Sequence, residues 1–375
     1  MPAPSRVVLN ALFLAPGVSG GPETYLRGLA PALANAFPSL RLTIVTTASG
    51  ASSLHADGFG DFSELVSLPC EDGQRVRRQL AEQALLPLRA RRRGEQIVHS
   101  LASIAPLVPG TRAVVTVHDV TFMRQPTFGR VTTLGMAFLL RAAVRRADAL
   151  IAVSAAARDD ICALLGVPTE RFTVIHHGLE RHTASAPTAE AELRRRLAID
   201  GRRVVLCLGA KRPHKNQEVL VRSASQLPSD VVILFVGHPE PYDAELRALA
   251  AELRVEDRVR FVGYVGDADL EGLWRLAAAA AQPTLGEGFG FPVLEALEHG
   301  VPVAASDLPV LREVGGELVH HFNPRDPAAA ANAIVAALDD RRARDLGPRF
   351  AATFTWSRAA AATHEVYARV LSEPR

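Results

Sequence analysis

The chain has 375 residues, a length at which a single hydrophobic core usually gives way to two domains. Hydrophobic residues make up 48% and charged residues 22%, a balance that excludes a disordered or fibrous chain. The net charge of +2 provides no general attraction for nucleic acid. Three well-separated cysteines without a C-x-x-C pair indicate reduced thiols, and hence a cytoplasmic protein, rather than a disulfide framework.

Short apolar runs rich in β-branched residues recur along the chain and predict parallel strands covered on both faces. The first run is too short to cross a bilayer and is predicted as a strand. Segments with helical spacing, such as ETYLRGLAPALANAF and AELRALAAEL, lie between the runs. The predicted strands are 7–15, 41–47, 97–100, 113–118, 149–154 and 172–177 in the first half, and 204–209, 231–237, 259–264, 278–283, 301–306 and 318–322 in the second.

Two successive sets of alternating strands and helices predict an α/β protein with two doubly wound, Rossmann-like domains. The first domain is predicted to span residues 1–180 and the second to span residues 202–355. The polar stretch 181–201 contains no apolar strand and is predicted to be the linker. Because ligands bind beyond the carboxyl ends of parallel strands, the residues that follow each strand are the candidates for a site.

Two loops that follow strands have the composition of phosphate-binding sites. PGVSGGPETYLRGL places Gly20 and Gly21 ahead of a helix, whose N-terminus attracts anions. Its spacing matches neither the G-x-G-x-x-G nor the Walker pattern, and a plain tight turn is the alternative. CLGAKRPHKN gathers Lys211, Arg212 and Lys215 directly after a strand, where cations suit a polyanion; the alternative is a solvated basic loop.

The stretch GEGFGFPVLEALEHG sets two glutamates around a glycine–aromatic turn between a strand and a helix. Pro292 is expected at the first position of the helix and Gly300 at its end. Glu287 then lies in the loop and Glu295 about one turn into the helix, with the amides of residues 288–290 between them. Carboxylate acceptors beside amide donors suit the hydroxyls of a sugar or ribose, and two ordinary surface glutamates are the alternative.

Several histidines and one acidic string are candidates for site residues or metal ligands. His118 ends the strand in TVHDV, on the expected ligand rim, although a histidine there can equally serve the fold. The pairs at 176–177 and 320–321 lack helical ligand spacing and are predicted to point to alternate strand faces. Asp267 and Asp269 form a D-x-D string, which we interpret as acids opening an amphipathic helix rather than as metal ligands.

The stretch GEGFGFPVLEALEHGVPVAASD resembles the signature of the family 4 glycosyltransferases, retaining nucleotide-sugar enzymes with the GT-B fold. The likeness covers essentially the whole chain and is greatest for bacterial enzymes of O-antigen or exopolysaccharide synthesis, often mannosyl- or rhamnosyltransferases. It implies two Rossmann-like domains facing an interdomain cleft, with residues 356–375 crossing back to the first domain as a helix. It extends through GGPETYLRGLA, TVHDVTF, ADALIAVSAAARDDI, FTVIHHGLE, LGAKRPHKN, DLPVLREVGG and TFTWSRAAAATHEVYARVL.

The resemblance also implies which residues bind the donor. Glu287 would contact the sugar near its reacting face, and Glu295 would hold the ribose hydroxyls. Amides at Gly288, Phe289 and Gly290 would bind sugar oxygens.

Three further roles follow from the resemblance, and one departure from the family pattern affects them. Lys215 would neutralise the diphosphate, assisted by Gly20 and Gly21 from the other domain, and His118 would contact the donor sugar beside the anomeric carbon. The expected catalytic residues are therefore Glu287, His118 and Lys215. Many relatives have an arginine where this chain has Ala210, so Lys211 or Arg212 is expected to supply the missing charge.

The expected function is metal-independent, retaining, front-face transfer of a hexosyl group, mannosyl or similar, to a glycan or lipid-linked acceptor. Cations and helix N-termini would stabilise the departing diphosphate, as a metal does in other enzymes. No cofactor is expected beyond the donor, for which the likeness suggests GDP-mannose, although uridine and thymidine donors fit the same chemistry. The alternatives are a nucleotide-sugar epimerase or hydrolase of the same fold, and a non-catalytic GT-B partner subunit.

Residues 75–93 mix apolar side chains with seven arginines and a single acid. Such a surface can rest against anionic lipid headgroups, whereas a solvated helix face is the alternative. Because many relatives act on lipid-linked acceptors, we expect a cytoplasmic protein that contacts the inner face of the cell membrane.

Overall fold

The chain divides into two compact units in the computed structural model, which describes residues 4–70, 74–108, 110–124, 129–179, 186–199 and 201–374. Unit 1 comprises Met1–Gly178 and Phe354–Arg375, and unit 2 comprises Leu179–Thr353. Each unit is built on one sheet of parallel strands. The predicted α/β class with two doubly wound units is confirmed.

The sheet of unit 1 has seven strands in the order β3-β2-β1-β4-β5-β6-β7, and all neighbours run parallel. The order reverses between β1 and β4, which makes their carboxyl ends the switch point of the sheet. The strands are β1 (Arg6–Asn10), β2 (Arg41–Thr46), β3 (Ser63–Ser67), β4 (Ile97–Ser100), β5 (Arg112–Val117), β6 (Ala149–Ala152) and β7 (Phe172–Val174).

Helices of unit 1 connect these strands. Two 3₁₀ turns cover Phe59–Asp61 and Thr169–Arg171, and a π-helical turn, Ala81–Leu85, joins α3 to α4. The helices are α1 (Gly21–Ala36), α2 (Ala48–Ala56), α3 (Arg75–Leu80), α4 (Leu86–Arg92), α5 (Thr121–Arg124), α6 (Arg130–Arg146) and α7 (Ala155–Leu165).

The sheet of unit 2 has six parallel strands in the order β10-β9-β8-β11-β12-β13, with its switch point between β8 and β11. The strands are β8 (Arg203–Leu208), β9 (Val231–Val236), β10 (Val259–Val262), β11 (Ala277–Gln282), β12 (Val303–Ser306) and β13 (Val319–Phe322). All six residues of β9 are buried, as expected for a strand covered on both faces.

Helices of unit 2 include one that lies in the predicted linker. Residues 190–197 form a helix whose Leu193 is fully buried, and Thr188 donates a backbone hydrogen bond to Ala268, so this part of 181–201 packs on unit 2. The helices are α8 (Glu190–Leu197), α9 (Gln217–Ser223), α10 (Tyr242–Glu252), α11 (Asp267–Leu276), α12 (Phe291–Glu298), α13 (Pro309–Gly315), α14 (Pro327–Leu338) and α15 (Arg341–Ala351), with 3₁₀ turns at Pro213–Lys215, Ala224–Gln226 and Gly316–Leu318.

The final helix, α16 (Trp356–Ser372), belongs to unit 1 and packs along α1. A buried polar network fixes it there. The Nδ1 atom of His99 forms a hydrogen bond with the Tyr367 hydroxyl at 2.6 Å, and its Nε2 atom forms one with Thr116 Oγ1 at 2.8 Å. The Tyr25 hydroxyl forms a hydrogen bond with the same Thr116 oxygen at 3.1 Å. Burial lowers the pKa of His99 to about 3, so its ring stays neutral. Among the described residues, no helix is both long and apolar enough to span a bilayer.

Glu82 lies buried in the π-helical turn, where its carboxyl group accepts from Asn10 Nδ2 at 2.6 Å and from Gln79 Nε2 at 3.2 Å. Burial raises the pKa of this carboxyl from 4.5 to about 7. The folded state therefore binds a proton more tightly than the unfolded state. The stability that this proton confers is present below pH 4.5 and is lost as the pH rises through about 7.

We therefore expect Glu82→Gln, which mimics the protonated carboxyl, to be more stable than the wild type at about pH 8 but not at about pH 5. Urea unfolding at the two pH values measures the difference. An equal gain at both values would contradict the assignment.

Candidate functional site

Two loops of unit 2 follow the strands that flank its switch point. The loop after β8 passes through Gly209 to the 3₁₀ turn Pro213–Lys215 and then enters α9. The loop after β11 runs from residue 283 to the bend at Gly290 and then enters α12. Because β8 and β11 are neighbours, both loops emerge at the same part of the sheet edge.

An ion pair joins these loops. Lys215 Nζ donates to Glu287 Oε2 at 2.7 Å, and both side chains are largely but not completely buried. The structure thus brings together two of the three residues predicted as catalytic. An ammonium has three N–H donors, so Lys215 can hold Glu287 and still donate to a second anion.

Two residues that sequence reasoning missed hold the paired loops in place. Asn216, in the left-handed conformation at φ 56°, donates through Nδ2 to the carbonyls of Pro283 at 2.9 Å and Pro324 at 2.8 Å. Thr284 Oγ1 donates to the carbonyl of Gly286 at 2.8 Å. Asparagine tolerates this backbone better than other residues with a side chain, which is the one signal the sequence offered.

Asn216 provides a prediction that separates backbone conformation from hydrogen bonding. We expect Asn216→Gly, which keeps the positive φ but removes both amide donors, to lower kcat/KM by about tenfold or more because Lys215 loses its support. Asn216→Asp, which turns oxygens toward two carbonyls, should be worse. Steady-state kinetics with a melting curve for each variant test this, and a glycine variant with wild-type kinetics would show that only the backbone matters.

The bend of GEGFGFP requires glycine at one position. Gly290 has φ 97°, and a Cβ atom there would lie 2.7 Å from Leu311 Cδ2. Phe289 is buried and meets the ring of Phe291 edge to face at 5.2 Å. The helix begins at Phe291, so Pro292 takes its second position, one residue later than predicted.

The predicted acceptors lie on both sides of this bend. Glu287 precedes Gly288, which is buried, and Glu295 is the fifth residue of α12, where it is half-buried. The order carboxylate, amides, carboxylate that the sequence predicts is therefore built around the first turn of α12.

The two cations expected to replace the arginine missing at Ala210 lie in different environments. Lys211 is only 1% exposed, and its Nζ donates to the carbonyls of Gly237 and Val262, each at 2.7 Å. Burial lowers the pKa of this ammonium, and its contacts tie together the chain after β9 and the end of β10. Arg212 is exposed and pairs with Glu240 at 2.7 Å. This corrects the expectation for Lys211, whose charge satisfies backbone carbonyls inside unit 2.

The predicted glycine loop of unit 1 already holds an anionic side chain. Gly20 adopts φ 61° and α1 begins at Gly21. Glu23, in the first turn, accepts from the Gly17 amide at 2.9 Å and pairs with Arg27 at 3.0 Å. A carboxylate in the first turn takes up the Gly17 amide and places negative charge where a phosphate would bind, which weakens the predicted assistance of Gly20 and Gly21.

His118 follows β5 and is buried in unit 1. Its Nε2 lies 2.7 Å from the Leu101 carbonyl, which can only accept, so Nε2 carries the proton. Burial lowers the pKa of His118, which keeps the ring neutral and leaves Nδ1 as its acceptor. The ring packs against Tyr25 and His177 at centroid distances of 5.3 and 5.4 Å. A neutral histidine of fixed tautomer can receive a hydrogen bond from a hydroxyl.

The D-x-D string lies where the sequence predicted, at the start of a helix, whereas the first histidine pair lies beyond β7, the strand predicted to contain it. Asp267 and Asp269 open α11, and Asp269 accepts from Thr188 at 2.7 Å and pairs with Arg196 at 2.5 Å. His176 is exposed and His177 is buried, but both follow β7 rather than lying in it. His320 and His321 lie in β13 and are both half-buried. Within the described ranges, no three histidine, cysteine or acidic side chains are grouped as a metal ion would require.

Family comparisons match both halves of the chain. The family described as glycosyltransferase family 4 matches residues 19–182, and the family described as glycosyl transferases group 1 matches residues 189–349. Together they leave out only residues 1–18, 183–188 and 350–375.

Curated relatives include enzymes of glycan and glycoside synthesis. The chain is similar to the O-antigen chain mannosyltransferase RfbU of Salmonella typhimurium, at 26% identity over 59% of both chains. It is 32% identical to a D-inositol 3-phosphate glycosyltransferase of Thermobispora bispora, over 60% of this chain and 56% of the relative. The matches therefore span less than two thirds of the length of these two relatives.

Solved structures resemble the whole chain. The Anabaena HepE structure with UDP and glucose has a TM-score of 0.76 at 22% identity, covering 97% of this chain and 100% of that one. Sucrose-phosphate synthase of Thermosynechococcus elongatus has a TM-score of 0.77 at 21% identity, covering 98% and 99%. At such low identity this likeness shows the fold, which is GT-B. Because the two family matches cover both halves of the chain, the chain belongs to the family 4 glycosyltransferases.

Proposed function

We propose that the protein transfers a hexosyl group, mannosyl or similar, from a nucleotide-diphosphate sugar to a glycan or lipid-linked acceptor, with retention and without a metal ion. The observation that carries this proposal is the Lys215–Glu287 ion pair at the switch point of unit 2. It puts a cation that can donate to a phosphate beside a carboxylate that can accept from sugar hydroxyls.

Charge at the site suits departure of a diphosphate. Breaking the bond between the anomeric carbon and the phosphate oxygen leaves negative charge on the nucleotide and positive character on the sugar. Lys215 would stabilise the first and Glu287 the second, since the pair is already assembled and needs no reorganisation. Glu295 would hold the ribose, and the amides of residues 288–290 would bind sugar oxygens.

Retention would follow from attack on the face that the diphosphate leaves. The acceptor oxygen forms its bond to the anomeric carbon as the bond to the phosphate oxygen breaks, and that phosphate oxygen takes the acceptor's proton. His118, with Nε2–H committed to Leu101, would contact the donor sugar through Nδ1. The donor we propose is GDP-mannose, because the relatives include O-antigen mannosyltransferases.

A thermal-shift panel of sugar nucleotides followed by a transfer assay tests the proposal. The true donor should raise the melting temperature, since it binds only the folded state. GDP-mannose should raise the melting temperature more than UDP-sugars and dTDP-sugars do. NMR of the first-formed product should show the anomeric configuration of the donor, and transfer should persist in EDTA. A product of inverted configuration would contradict retention, and loss of activity in EDTA would contradict metal independence. Turnover of the donor without an acceptor would contradict transfer and favour an epimerase or hydrolase.

The proposed location is the cytoplasm, at the inner face of the cell membrane. The three cysteines are buried, and none of them forms a disulfide. Residues 77–93 carry exposed arginines on α3 and α4, among them Arg77, Arg91 and Arg92. These would contact anionic headgroups, which brings the enzyme to a lipid-linked acceptor.

A further inference from the structure

Helix α6 of unit 1 carries an exposed apolar stripe. Val131, Leu134 and Phe138, at spacing i, i+3 and i+7, share one face and are 86%, 70% and 64% exposed. The opposite face packs into unit 1 through four buried residues, Ala137, Leu140, Ala143 and Val144. Three large apolar residues exposed to water on the other face add no stability to a helix that is already packed on one face. The stripe therefore indicates a contact beyond unit 1.

The charges on α6 indicate what that contact is. The helix contains no aspartate or glutamate, and its face continues past Phe138 into Arg141 and Arg145, both exposed. Arg130 is exposed at the other end. Apolar side chains flanked only by cations match the acyl chains and anionic headgroups of a bilayer. A symmetric contact with a second copy would set arginine against arginine.

A short segment connects α6 to the arginine-rich helices. Gln83, in the π-helical turn, donates to the Ala105 carbonyl at 3.1 Å and accepts from the Leu107 amide at 2.8 Å. Arg146, at the end of α6, donates to the Leu107 carbonyl at 2.9 Å. Val108, the next residue, is 72% exposed. The elements joined in this way carry eight of the exposed large apolar residues: Val76, Leu80, Leu85, Leu88, Val108, Val131, Leu134 and Phe138.

We propose that these eight residues and their neighbouring arginines form a lipid-facing surface, in which α6 inserts its stripe among the acyl chains. The inference rests on the proposed membrane contact of the arginine-rich helices and adds the element that enters the lipid. Arginines of α3 and α4 supply attraction that salt screens, whereas the stripe supplies hydrophobic burial that salt does not screen. The two contributions can therefore be measured separately.

Co-sedimentation of the full chain with vesicles tests the proposal. Phosphatidylglycerol–phosphatidylethanolamine vesicles are compared with phosphatidylcholine vesicles, at low salt and at about 0.5 M NaCl. Wild type should bind the anionic vesicles at both salts. Val131→Ser/Leu134→Ser/Phe138→Ser should bind them about tenfold or more weakly at both salts. Arg91→Gln/Arg92→Gln should weaken binding chiefly at low salt. Leu253→Ser/Leu346→Ser, which removes exposed apolar residues of unit 2, should match the wild type.

Each other outcome has a defined meaning. If the triple variant binds vesicles as strongly as the wild type, α6 does not insert into the lipid. If the arginine variant nevertheless binds vesicles more weakly, the broader membrane contact of α3 and α4 is still supported. A wild type that ignores anionic vesicles overturns both, yet donor binding and transfer to a soluble acceptor would still support the enzymatic proposal. A wild type that sediments as a dimer and a triple variant that sediments as a monomer would assign the stripe to a second copy. Phe138→Ser alone repeats the test should the triple variant melt early.

Discussion

Lys215→Ala is expected to reduce transfer from the sugar nucleotide by about a hundredfold or more while the protein remains folded. Lys215 lies at the switch point of unit 2, and its Nζ atom is 2.7 Å from the carboxylate of Glu287 on the neighbouring loop. Its removal takes away the charge that would meet the departing diphosphate. It also leaves the Glu287 carboxylate without its partner, which disfavours an anionic ligand nearby. Measurement of kcat and KM separates the loss of catalysis from the loss of binding.

Glu287→Ala should reduce transfer to a similar extent, and the double variant should lose little more than either single variant. Residues that act as one unit are not additive, and the Lys215–Glu287 contact makes these two a unit. Arg222→Ala is the matched control, since Arg222 lies on α9, directly after the same loop, but is exposed and pairs with Glu218. Near-normal turnover in either single variant, or a loss in Arg222→Ala as large as theirs, would contradict the site assignment.

The strands of the two sheets were predictable because most are largely buried and so consist mainly of apolar residues. Strand β3 was missed for the opposite reason. Its sequence SELVS contains only two apolar residues, and it lies at the edge of its sheet, where one long side is open. Helix α8 was missed inside the predicted linker, because a single buried leucine holds it to unit 2.

The site was predictable to the extent that topology alone determines it. Lys215 and Glu287 follow strands that a doubly wound sheet makes neighbours, so their proximity follows from strand order. Lys211 was placed wrongly because its burial depends on carbonyls of two other segments, near Gly237 and Val262. The contact of His99 with Tyr367 joins residues 268 positions apart, and no local pattern encodes it.

Gly28→Ala should destabilise unit 1 by at least about 2 kcal/mol, although alanine favours helices, because the added methyl group overpacks the core. A Cβ atom at this position would lie 1.9 Å from Trp356 Cε2, within the indole that begins α16. Trp356 is confined on its other side as well, since a Cβ at Gly178 would lie 2.1 Å from its backbone nitrogen. The two glycines thus leave the space in which the first turn of α16 docks on unit 1.

Gly135→Ala on α6 is the matched control for this prediction. Gly135 is also a helical glycine, but it is exposed and a Cβ there would meet nothing within 4 Å. Alanine should therefore stabilise the helix by about 0.5–1 kcal/mol. Urea unfolding and hydrogen exchange of α16 distinguish the two variants, because displaced packing should raise exchange along Trp356–Ser372 in Gly28→Ala alone. If Gly28→Ala gained stability as Gly135→Ala does, the docking of α16 would not depend on close contact between α1 and the indole.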